Sequence, residues 1–283
     1  MPVSLFPALE LSLDLLRCPT CRTRRLRPDR GALRCPKGHT FDLARHGYAG
    51  LLTGVRATSG DDAAMVLARE RFLATGAYAP IREVSARLAA GAVAGRATVV
   101  DVGCGTGHYL TGVLDRLPGG RGLGLDTSVR ALRSAARAHD RAGAVAWDVF
   151  RPFPLGDGAA DVVLNMFAPR NPAEFHRVLR PAGRLVVVRP TGRHLAELRG
   201  RLPAMVTVDP VKEQRLHRAL APFFMAGVTE RVEYCATLPR SAALDLVAMT
   251  PSARHLSRAD LNRDGSLPDQ VTVSVLATSY EPR

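Results

Sequence analysis

Short apolar segments alternate with amphipathic ones between residues 97 and 190, and this alternation constrains the fold more than any other feature of the sequence. Five apolar segments predict buried strands: ATVVDVG, GRGLGLD, GAVAWDV, GAADVVLNMF and AGRLVVVRP. The segments between them, such as GHYLTGVLDRL and SVRALRSAARAH, have the apolar spacing of helices. Apolar strands separated by helices are typical of a parallel sheet covered on both faces. The sequence therefore predicts an α/β fold.

The regions on either side of this core have weaker patterns. Before it, the segments DDAAMVLARERFLATG and YAPIREVSARLAAG predict two helices, the first capped within residues 59–62. After Pro190, three segments look helical: HLAELRG, VKEQRLHRALAPFF and SAALDLVAM. ERVEYCATL and QVTVSVLATSY look like strands, and we expect them to pair and close the sheet at one edge.

Two short turns near the N-terminus carry the residue types that bind zinc. Two residues lie between Cys18 and Cys21, three lie between Cys35 and His39, and thirteen lie between the two pairs. This is the spacing of a structural zinc site, and the segment around it is too short and polar to bury a core without a metal. His46 lies seven residues after His39 and is an alternative ligand, but the symmetry of the two halves favours His39.

The positive charge of the chain suggests an anionic partner. The formal net charge is +13, and of the 39 basic residues only Lys37 and Lys212 are lysines. Aromatic residues make up 5%, which is sparse for binding by base stacking alone. We expect the arginines around the zinc motif to grip a nucleic acid backbone, although a GC-rich genome would give the same composition. These arginines are Arg17, Arg22, Arg24, Arg25, Arg27, Arg30 and Arg34.

The segment VVDVGCGTGHYL predicts a glycine-rich turn between a strand and a helix. Its glycines, Gly103, Gly105 and Gly107, have G-x-G-x-G spacing rather than the G-x-G-x-x-G of dinucleotide-binding turns. Asp101 lies at the end of the strand, where a carboxylate suits the cationic amino group of S-adenosylmethionine better than a pyrophosphate. The turn therefore favours a methyl-donor site over a redox cofactor.

Three further residues extend this predicted cofactor site. Asp126 ends the next predicted strand, where a carboxylate can accept both ribose hydroxyls. Asp148 ends the third strand, near the expected position of the adenine amino group, although a solvent-facing turn is the alternative. His108 follows the glycines and we expect it to pack beside the cofactor.

Several segments together resemble the family of 23S rRNA guanine-N1 methyltransferases, which includes macrolide-resistance members. The segments are LRCP, CPKGHTFD, GYAGLL, DVGCGTGHY, MFAPR, RPAGRLVVVRPTGRHLAELRG and MTPSARH. The resemblance implies a class I (Rossmann-like) methyltransferase fold with a small N-terminal zinc-binding domain that helps recognise rRNA. It also implies a homodimer with an RNA-binding cleft and methylation of a guanine in a hairpin loop lining the ribosomal exit tunnel. One departure is GYAGLL at residues 47–52, where family members often have GYVNLL.

The resemblance and the patterns together predict four regions. Residues 1–16 are an N-terminal extension to which we assign no structure, and residues 17–49 are the zinc-binding RNA-recognition module. Residues 50–95 contain a linker and two helices, and residues 96–283 form the S-adenosylmethionine-dependent methyltransferase domain.

The segment NMFAPR lies at the carboxyl end of the fourth predicted strand, where this fold presents its acceptor. Asn165 is a candidate for bonding the guanine edge, Phe167 for stacking on the base and Arg170 for neutralising a phosphate. A core position for Phe167 and a solvated surface for Arg170 fit the sequence equally well. Guanine N1 carries a proton at neutral pH, and His108 is a candidate for accepting it.

The sequence leaves other functions open. A dinucleotide-dependent dehydrogenase and a zinc-dependent RNA-binding protein without activity both fit it less well than a methyltransferase. A methyltransferase for a small molecule, a protein or another RNA is the stronger alternative, because the core does not identify the acceptor. Housekeeping methylation and macrolide self-resistance both remain open. We expect no membrane span and a reducing, cytoplasmic location, since the five cysteines do not suggest a disulfide framework.

Overall fold

A computed structural model of the protein describes residues 6–23, 26–52, 60–91, 93, 95–203, 205–206, 211–255 and 267–283. Within these ranges, eight strands form one mixed sheet and three short strands form a second, antiparallel sheet. Among the described helices, none has the length and apolar character that crossing a bilayer demands.

The centre of the large sheet consists of five parallel strands that coincide with the five predicted ones. Their spatial order is β7, β6, β5, β8 and β9. Their bounds are β5 Thr98–Val102, β6 Arg121–Asp126, β7 Ala142–Ala146, β8 Ala160–Met166 and β9 Leu179–Pro190. The chain places β6 and β7 on one side of β5 and then returns to place β8 and β9 on the other side. The strand order therefore reverses between β5 and β8, and sheets of this kind bind ligands at such a reversal.

The two edges of the large sheet differ. At one edge, β11 (Gln270–Pro282) pairs antiparallel with both β9 and β10 (Phe224–Thr237), which confirms the predicted closing pair. At the other edge, β4 (Tyr48–Gly50) pairs parallel with β7, with Tyr48 opposite Ala144. We did not predict β4 from the sequence. It joins the end of the cysteine-rich segment directly to the large sheet.

Helices cover both faces of the sheet, as the alternating pattern predicts. Phe72, Ile81 and Val113 belong to an apolar core on one face, and Phe175 and Leu220 belong to a core on the other. The helices are α1 Pro7–Glu10, α2 Ala63–Ala74, α3 Ala79–Ala90, α4 His108–Arg116, α5 Val129–Ala135, α6 Pro172–Val178, α7 Ala196–Arg201, α8 Lys212–Leu220 and α9 Arg240–Ala248.

The predicted cap of the first long helix is Asp62. Its carboxylate accepts a hydrogen bond from the backbone N–H of Met65 at 2.9 Å, so α2 starts immediately after it. Ser59, the first residue of the predicted capping segment, and most of the predicted linker lie outside the described residues.

The N-terminal segment, to which we assigned no structure, packs on the large sheet. After α1, a short 3-10 helix spans Leu13–Leu15. Leu9 and Leu15 are buried in the same core as Leu123 and Val145. The segment is therefore held by apolar burial, and residues 1–5 lie outside the described part of the chain.

The cysteine-rich segment forms the small antiparallel sheet. Its strands are β1 Arg27–Asp29, β2 Ala32–Arg34 and β3 Thr40–Asp42. Gly31 and Gly38 form the turns with φ of +84° and +85°, a conformation that glycine adopts without strain. The four predicted zinc ligands lie in the loops around these strands.

Candidate active site and metal centre

Cys18, Cys21, Cys35 and His39 form one compact cluster. Their ligand atoms all lie within 4.8 Å of one another. Cys21 Sγ lies 3.8 Å from Cys35 Sγ, and His39 Nδ1 lies 3.3 Å from Cys35 Sγ. A tetrahedral site with Zn–S bonds of about 2.3 Å has edges of about 3.8 Å between sulfurs, so the cluster has the size of a zinc site. A ligand set with three thiolates and one imidazole also suits zinc chemically.

The environment of the cluster favours the thiolate form of one ligand. Hydrogen bonding to Thr23, whose hydroxyl lies 3.2 Å from Cys21 Sγ, lowers the pKa of Cys21 to about 6. The hydrogen bond with Cys35 raises the pKa of His39. His46, the alternative ligand, lies outside the cluster and contacts Arg45 and Arg137 instead.

The arginines around the cluster do not form one free cationic surface. The guanidinium of Arg22 donates to the Phe153 carbonyl at 2.8 Å, and the backbone N–H of Arg17 donates to the Pro154 carbonyl at 2.8 Å. Arg34 forms an ion pair with Asp29 at 3.3 Å. Within the predicted RNA-gripping set, Arg22 thus docks the module through its side chain, and Arg17 docks it through its backbone. Arg27 and Arg30 are exposed, whereas Arg24 and Arg25 lie outside the described residues.

The glycine-rich turn connects β5 to α4 and lies against β6. Gly103, Gly105 and Gly107 all have positive φ, at +79°, +53° and +86°. The backbone N–H groups of Gly103 and Cys104 both donate to the Leu125 carbonyl at the end of β6. A Cβ atom on Gly103 would lie 2.4 Å from the Ala168 side chain, so this position accepts only glycine. The turn therefore brings bare backbone to the carboxyl edge of the sheet.

Asp101 is a buried carboxylate at this edge. It is fully buried, and neither of its carboxylate oxygens has a hydrogen-bond partner among the described residues. Burial, together with the nearby Asp126, raises the pKa of Asp101 to about 8. An unpaired buried carboxylate is costly for folding, and a bound cation such as an ammonium group offsets that cost. The site thus fits the amino group of S-adenosylmethionine.

Asp126 and Asp148 lie at the same edge of the sheet. Asp126 ends β6, and its two oxygens accept from the backbone N–H groups of Gly105 and Ser128, both at 2.8 Å. Each carboxylate oxygen has a second lone pair, so Asp126 can still accept ribose hydroxyls. Asp148 is buried two residues beyond the end of β7 and accepts from the Phe150 N–H at 2.9 Å.

Arg69 on α2 is a further residue of this region that we did not predict. Its guanidinium donates to the Asp61 carboxylate at 2.5 Å and to the Met249 carbonyl at 3.0 Å. Its Cδ atom lies 3.7 Å from the position of a Cβ on Gly105. A guanidinium beside a glycine-rich turn can bind a carboxylate. The only sequence signal was an arginine in α2, the first of the two long helices before β5.

Phe167 presents an aromatic surface at the end of β8. It adopts a left-handed conformation with φ of +56°, which costs a non-glycine residue on the order of 1 kcal/mol. Its side chain is 38% exposed although it is large and apolar. Its ring lies 6.3 Å from that of Tyr78 and 6.2 Å from those of Tyr109 and His194. We call these four rings the aromatic box.

Tyr78 and His194 form a buried hydrogen-bonded pair within the aromatic box. The Tyr78 hydroxyl lies 3.2 Å from His194 Nε2, and the Ser274 backbone N–H donates to His194 Nδ1 at 3.2 Å. Burial lowers the pKa of His194 to about 4, so the ring is neutral and its single proton lies on Nε2. His194 therefore donates to the Tyr78 oxygen, which leaves the hydroxyl proton of Tyr78 for another acceptor. Burial raises the pKa of Tyr78 and keeps that proton in place.

The two candidate catalytic residues from the sequence have other surroundings. Asn165 is fully buried, and its side-chain N–H₂ donates to the carbonyls of Val102 at 3.3 Å and Pro169 at 2.8 Å. These bonds brace the end of β8 and the turn that carries Phe167. The Asn165 carbonyl oxygen is buried with no partner among the described residues.

His108 begins α4 and faces a cavity of about 320 Å³ that Glu70, Thr106 and Ser134 also line. Burial, and secondly Arg82, lower the pKa of His108 to about 4. A group with this pKa is a weak proton acceptor at neutral pH. The roles of Asn165 and His108 therefore stay predictions.

The chain matches two known family models and is similar to known proteins along most of its length. A zinc-ribbon family model described as "RlmA, N-terminal" matches residues 16–55, and a model described as "Methyltransferase domain" matches residues 99–184. The 23S rRNA (guanine(748)-N(1))-methyltransferase of Streptomyces fradiae is 46% identical over 94% of this chain and 96% of its own length. A protein of Micromonospora griseorubida is 45% identical over 95% of this chain and 98% of its own length. Its provisional name is 23S rRNA (guanine-N(1)-)-methyltransferase.

Solved structures share less of the chain. The TehB-like SAM-dependent methyltransferase of Corynebacterium glutamicum is 17% identical, with a TM-score of 0.43 over 70% of this chain and 87% of its own.

Proposed function

The chain belongs to the 23S rRNA (guanine-N1)-methyltransferase family, and we propose that it transfers a methyl group from S-adenosylmethionine to N1 of a guanine in a hairpin loop of 23S rRNA. The observation that carries this proposal is the combination of a zinc ribbon with a methyl-donor site at the carboxyl edge of the sheet. A small-molecule methyltransferase would need the second of these features but has no use for the first.

The methyl-donor site is assigned to residues at the ends of three successive strands. Asp101 would bind the amino group of the donor, and Arg69 its carboxylate. Asp126 would accept the ribose hydroxyls, and Asp148 would lie near the adenine. Support comes from the Asp101 carboxylate, which has no hydrogen-bond partner among the described residues, from the remaining lone pairs on Asp126 and from the positive φ angles of the three glycines. S-Adenosylmethionine supplies an electrophilic methyl group on a sulfonium.

The aromatic box is the proposed acceptor pocket. A guanine splayed out of its stack would lie on Phe167, whose ring is exposed and which directly follows the carboxyl end of β8. The N1–methyl bond forms as the methyl–sulfur bond breaks, and the N1 proton leaves to water. Loss of that proton moves negative charge onto guanine O6. The Tyr78 hydroxyl, oriented by His194, would donate to O6 and stabilise this charge.

The zinc ribbon has a structural role in this proposal. Cys18, Cys21, Cys35 and His39 would fill all four positions of the metal, so no position is left for substrate. The metal would hold the loops that dock on residues 153–156 and thereby orient the module relative to the sheet.

Three broader features belong to the same proposal. The protein would act in the cytoplasm, where its rRNA substrate is made, and as a homodimer whose two copies form the RNA-binding cleft. The resemblance to a family that includes macrolide-resistance members supports a role in macrolide resistance. Light scattering of the purified protein tests the dimer, and macrolide susceptibility of a sensitive host expressing the gene tests the resistance.

Mapping of the methylated base tests the central proposal. Purified protein is incubated with labelled S-adenosylmethionine and with naked 23S rRNA or assembled large subunits, and modified positions are read as stops in reverse transcription. We expect one hairpin guanine to become labelled and to block primer extension, because a methyl group on N1 prevents base pairing. Label in another RNA or in a small molecule, with none in 23S rRNA, would overturn the proposal.

A single hydroxyl tests the acceptor pocket. Tyr78→Phe keeps the ring of the aromatic box but removes the donor to O6. A hydrogen bond to a charged group stabilises by about 1.5–3 kcal/mol, so we expect kcat to fall roughly 10- to 150-fold with donor affinity unchanged. Tyr48→Phe, at the far edge of the sheet, is the matched control and should keep full activity. Equal activity of both variants would remove Tyr78 from the mechanism.

A further inference from the structure

Four basic side chains from two separate elements meet beside the large sheet. Arg45 and His46 lie in the turn before β4, and Arg133 and Arg137 lie on α5 or directly after it. Arg137 Nη2 is 3.1 Å from His46 Nδ1, and Arg45 Nε is 3.3 Å from His46 Nε2. We call this group the α5 basic cluster. None of its members belongs to the set of arginines that flank the zinc ligands in the sequence.

The α5 basic cluster has more hydrogen-bond donors than acceptors. A neutral imidazole has one acceptor nitrogen and a charged one has none, yet both ring nitrogens of His46 face a guanidinium. In at least one of these two contacts, an N–H group of the arginine therefore faces an N–H group of the His46 ring. Arg133 belongs to the same group, because burial and, secondly, the charge of Arg133 lower the pKa of His46. Its Nε atom is buried with no partner among the described residues.

No carboxylate compensates this charge within the described part of the chain. Arg45, Arg133 and Arg137 form no ion pair there, whereas many other arginines of the protein do, for example Arg71 with Asp245 and Arg87 with Glu230. An anion with several oxygens binds where several N–H donors surround one point and no protein acceptor occupies them.

We propose that the α5 basic cluster binds a backbone phosphate of the RNA substrate. This inference rests on the proposed function, since it takes the polyanion to be rRNA. A phosphate offers acceptor oxygens to the guanidinium groups from both elements and relieves the contact at His46. It would thereby bridge the turn before β4, which continues from the zinc ribbon, to α5, which follows the cofactor-binding strand β6.

Salt-dependent RNA binding tests the cluster with a charge-matched control. The double variant Arg133→Gln/Arg137→Gln is compared with Arg218→Gln/Arg231→Gln, which removes two exposed arginines that form no ion pair within the described ranges. Affinity for a 23S rRNA hairpin fragment is measured from low to high KCl. Each lost phosphate contact lowers the slope of log K against log salt by about 0.7–0.9.

We expect the cluster variant to lose at least tenfold in affinity and about one unit of salt slope. The control should change less than threefold, and both variants should bind S-adenosylmethionine like the parent. Arg137→Gln alone repeats the test at an exposed side chain whose replacement leaves the fold intact. If the parent methylates 23S rRNA but the cluster and control variants have the same slope of log K against log salt, this inference is overturned and the proposed function is not. A parent that neither binds nor methylates 23S rRNA would overturn the proposed function and this inference together.

Discussion

At the scale of single residues, the site depends on polar groups that folding alone leaves unsatisfied. Asp101 is the main example, because its carboxylate is fully buried and has no partner among the described residues. Its pKa of about 8 lies well above the usual value near 4, so the folded protein favours the protonated acid. As pH rises from about 4 to about 8, Asp101 therefore opposes folding progressively more strongly.

The residue-scale prediction is that Asp101→Asn weakens binding of S-adenosylmethionine and stabilises the folded protein. Without donor, the variant should melt at a higher temperature than the parent, with a larger difference at pH 8 than at pH 5, because an amide carries no charge to bury. Its affinity for S-adenosylmethionine should fall at least tenfold. Scanning calorimetry at both pH values and titration calorimetry measure the two effects.

Asp140→Asn, which changes an exposed carboxylate, is the control and should leave both quantities unchanged. An Asp101→Asn variant that bound the donor as tightly as the parent would remove Asp101 from the site.

At the scale of elements, the small sheet is the part least able to hold itself together. Strands β1, β2 and β3 have three residues each, and β1 buries no side chain. Leu33 and Phe41 are the buried side chains of the other two. In contrast, β4 is held by its pairing with β7 in the large sheet. The metal is therefore expected to stabilise β1 to β3 more than β4.

The element-scale prediction concerns chelation. Removing zinc with a chelator should increase hydrogen exchange throughout residues 26–42, because these strands have little apolar burial of their own. Residues 98–102 in β5 should stay protected, since their burial does not depend on the metal. Mass spectrometry of exchanged peptides measures both. Unchanged protection of residues 26–42 after complete loss of zinc would contradict a structural role for the metal.

At the scale of the whole molecule, the N-terminal segment and the zinc ribbon are integrated with the large sheet. Leu16 forms an antiparallel bridge with Leu155, and Arg121 forms an ion pair with Asp14 at 2.7 Å. Leu9 lies in the same apolar core as the central strands. The protein thus has a continuous core across the predicted boundary at residue 16. The four predicted regions stay a prediction.

The whole-molecule prediction compares two leucines of the N-terminal segment. Leu9 is 1% exposed and Leu11 is 47% exposed. Leu9→Ala should lower the free energy of unfolding by about 2–4 kcal/mol, as expected for a central core position, because it leaves a cavity. Leu11→Ala should change it by less than about 0.5 kcal/mol. Denaturant unfolding measures both, and equal effects would show that the segment does not contribute to the core.

Much of the fold follows from local patterns in the sequence. The five central strands, the helices between them and the closing pair coincide with their predicted segments, because apolar periodicity depends on neighbouring residues. Strand β4 was missed because three residues, YAG, carry too little pattern to identify a strand. It forms only because β7 offers an unpaired edge beside it.

The sequence by itself determined the order of strands and helices, the glycine-rich turn and the spacing of the metal ligands, because each depends on residues close together in the chain. Only the tertiary structure decided which of these residues share a site. Tyr78 contacts His194, which lies 116 positions later in the chain. Arg22 donates to the Phe153 carbonyl, and the turn before β4 meets α5 in the α5 basic cluster. Such contacts depend on how distant elements pack, and no local pattern encodes that.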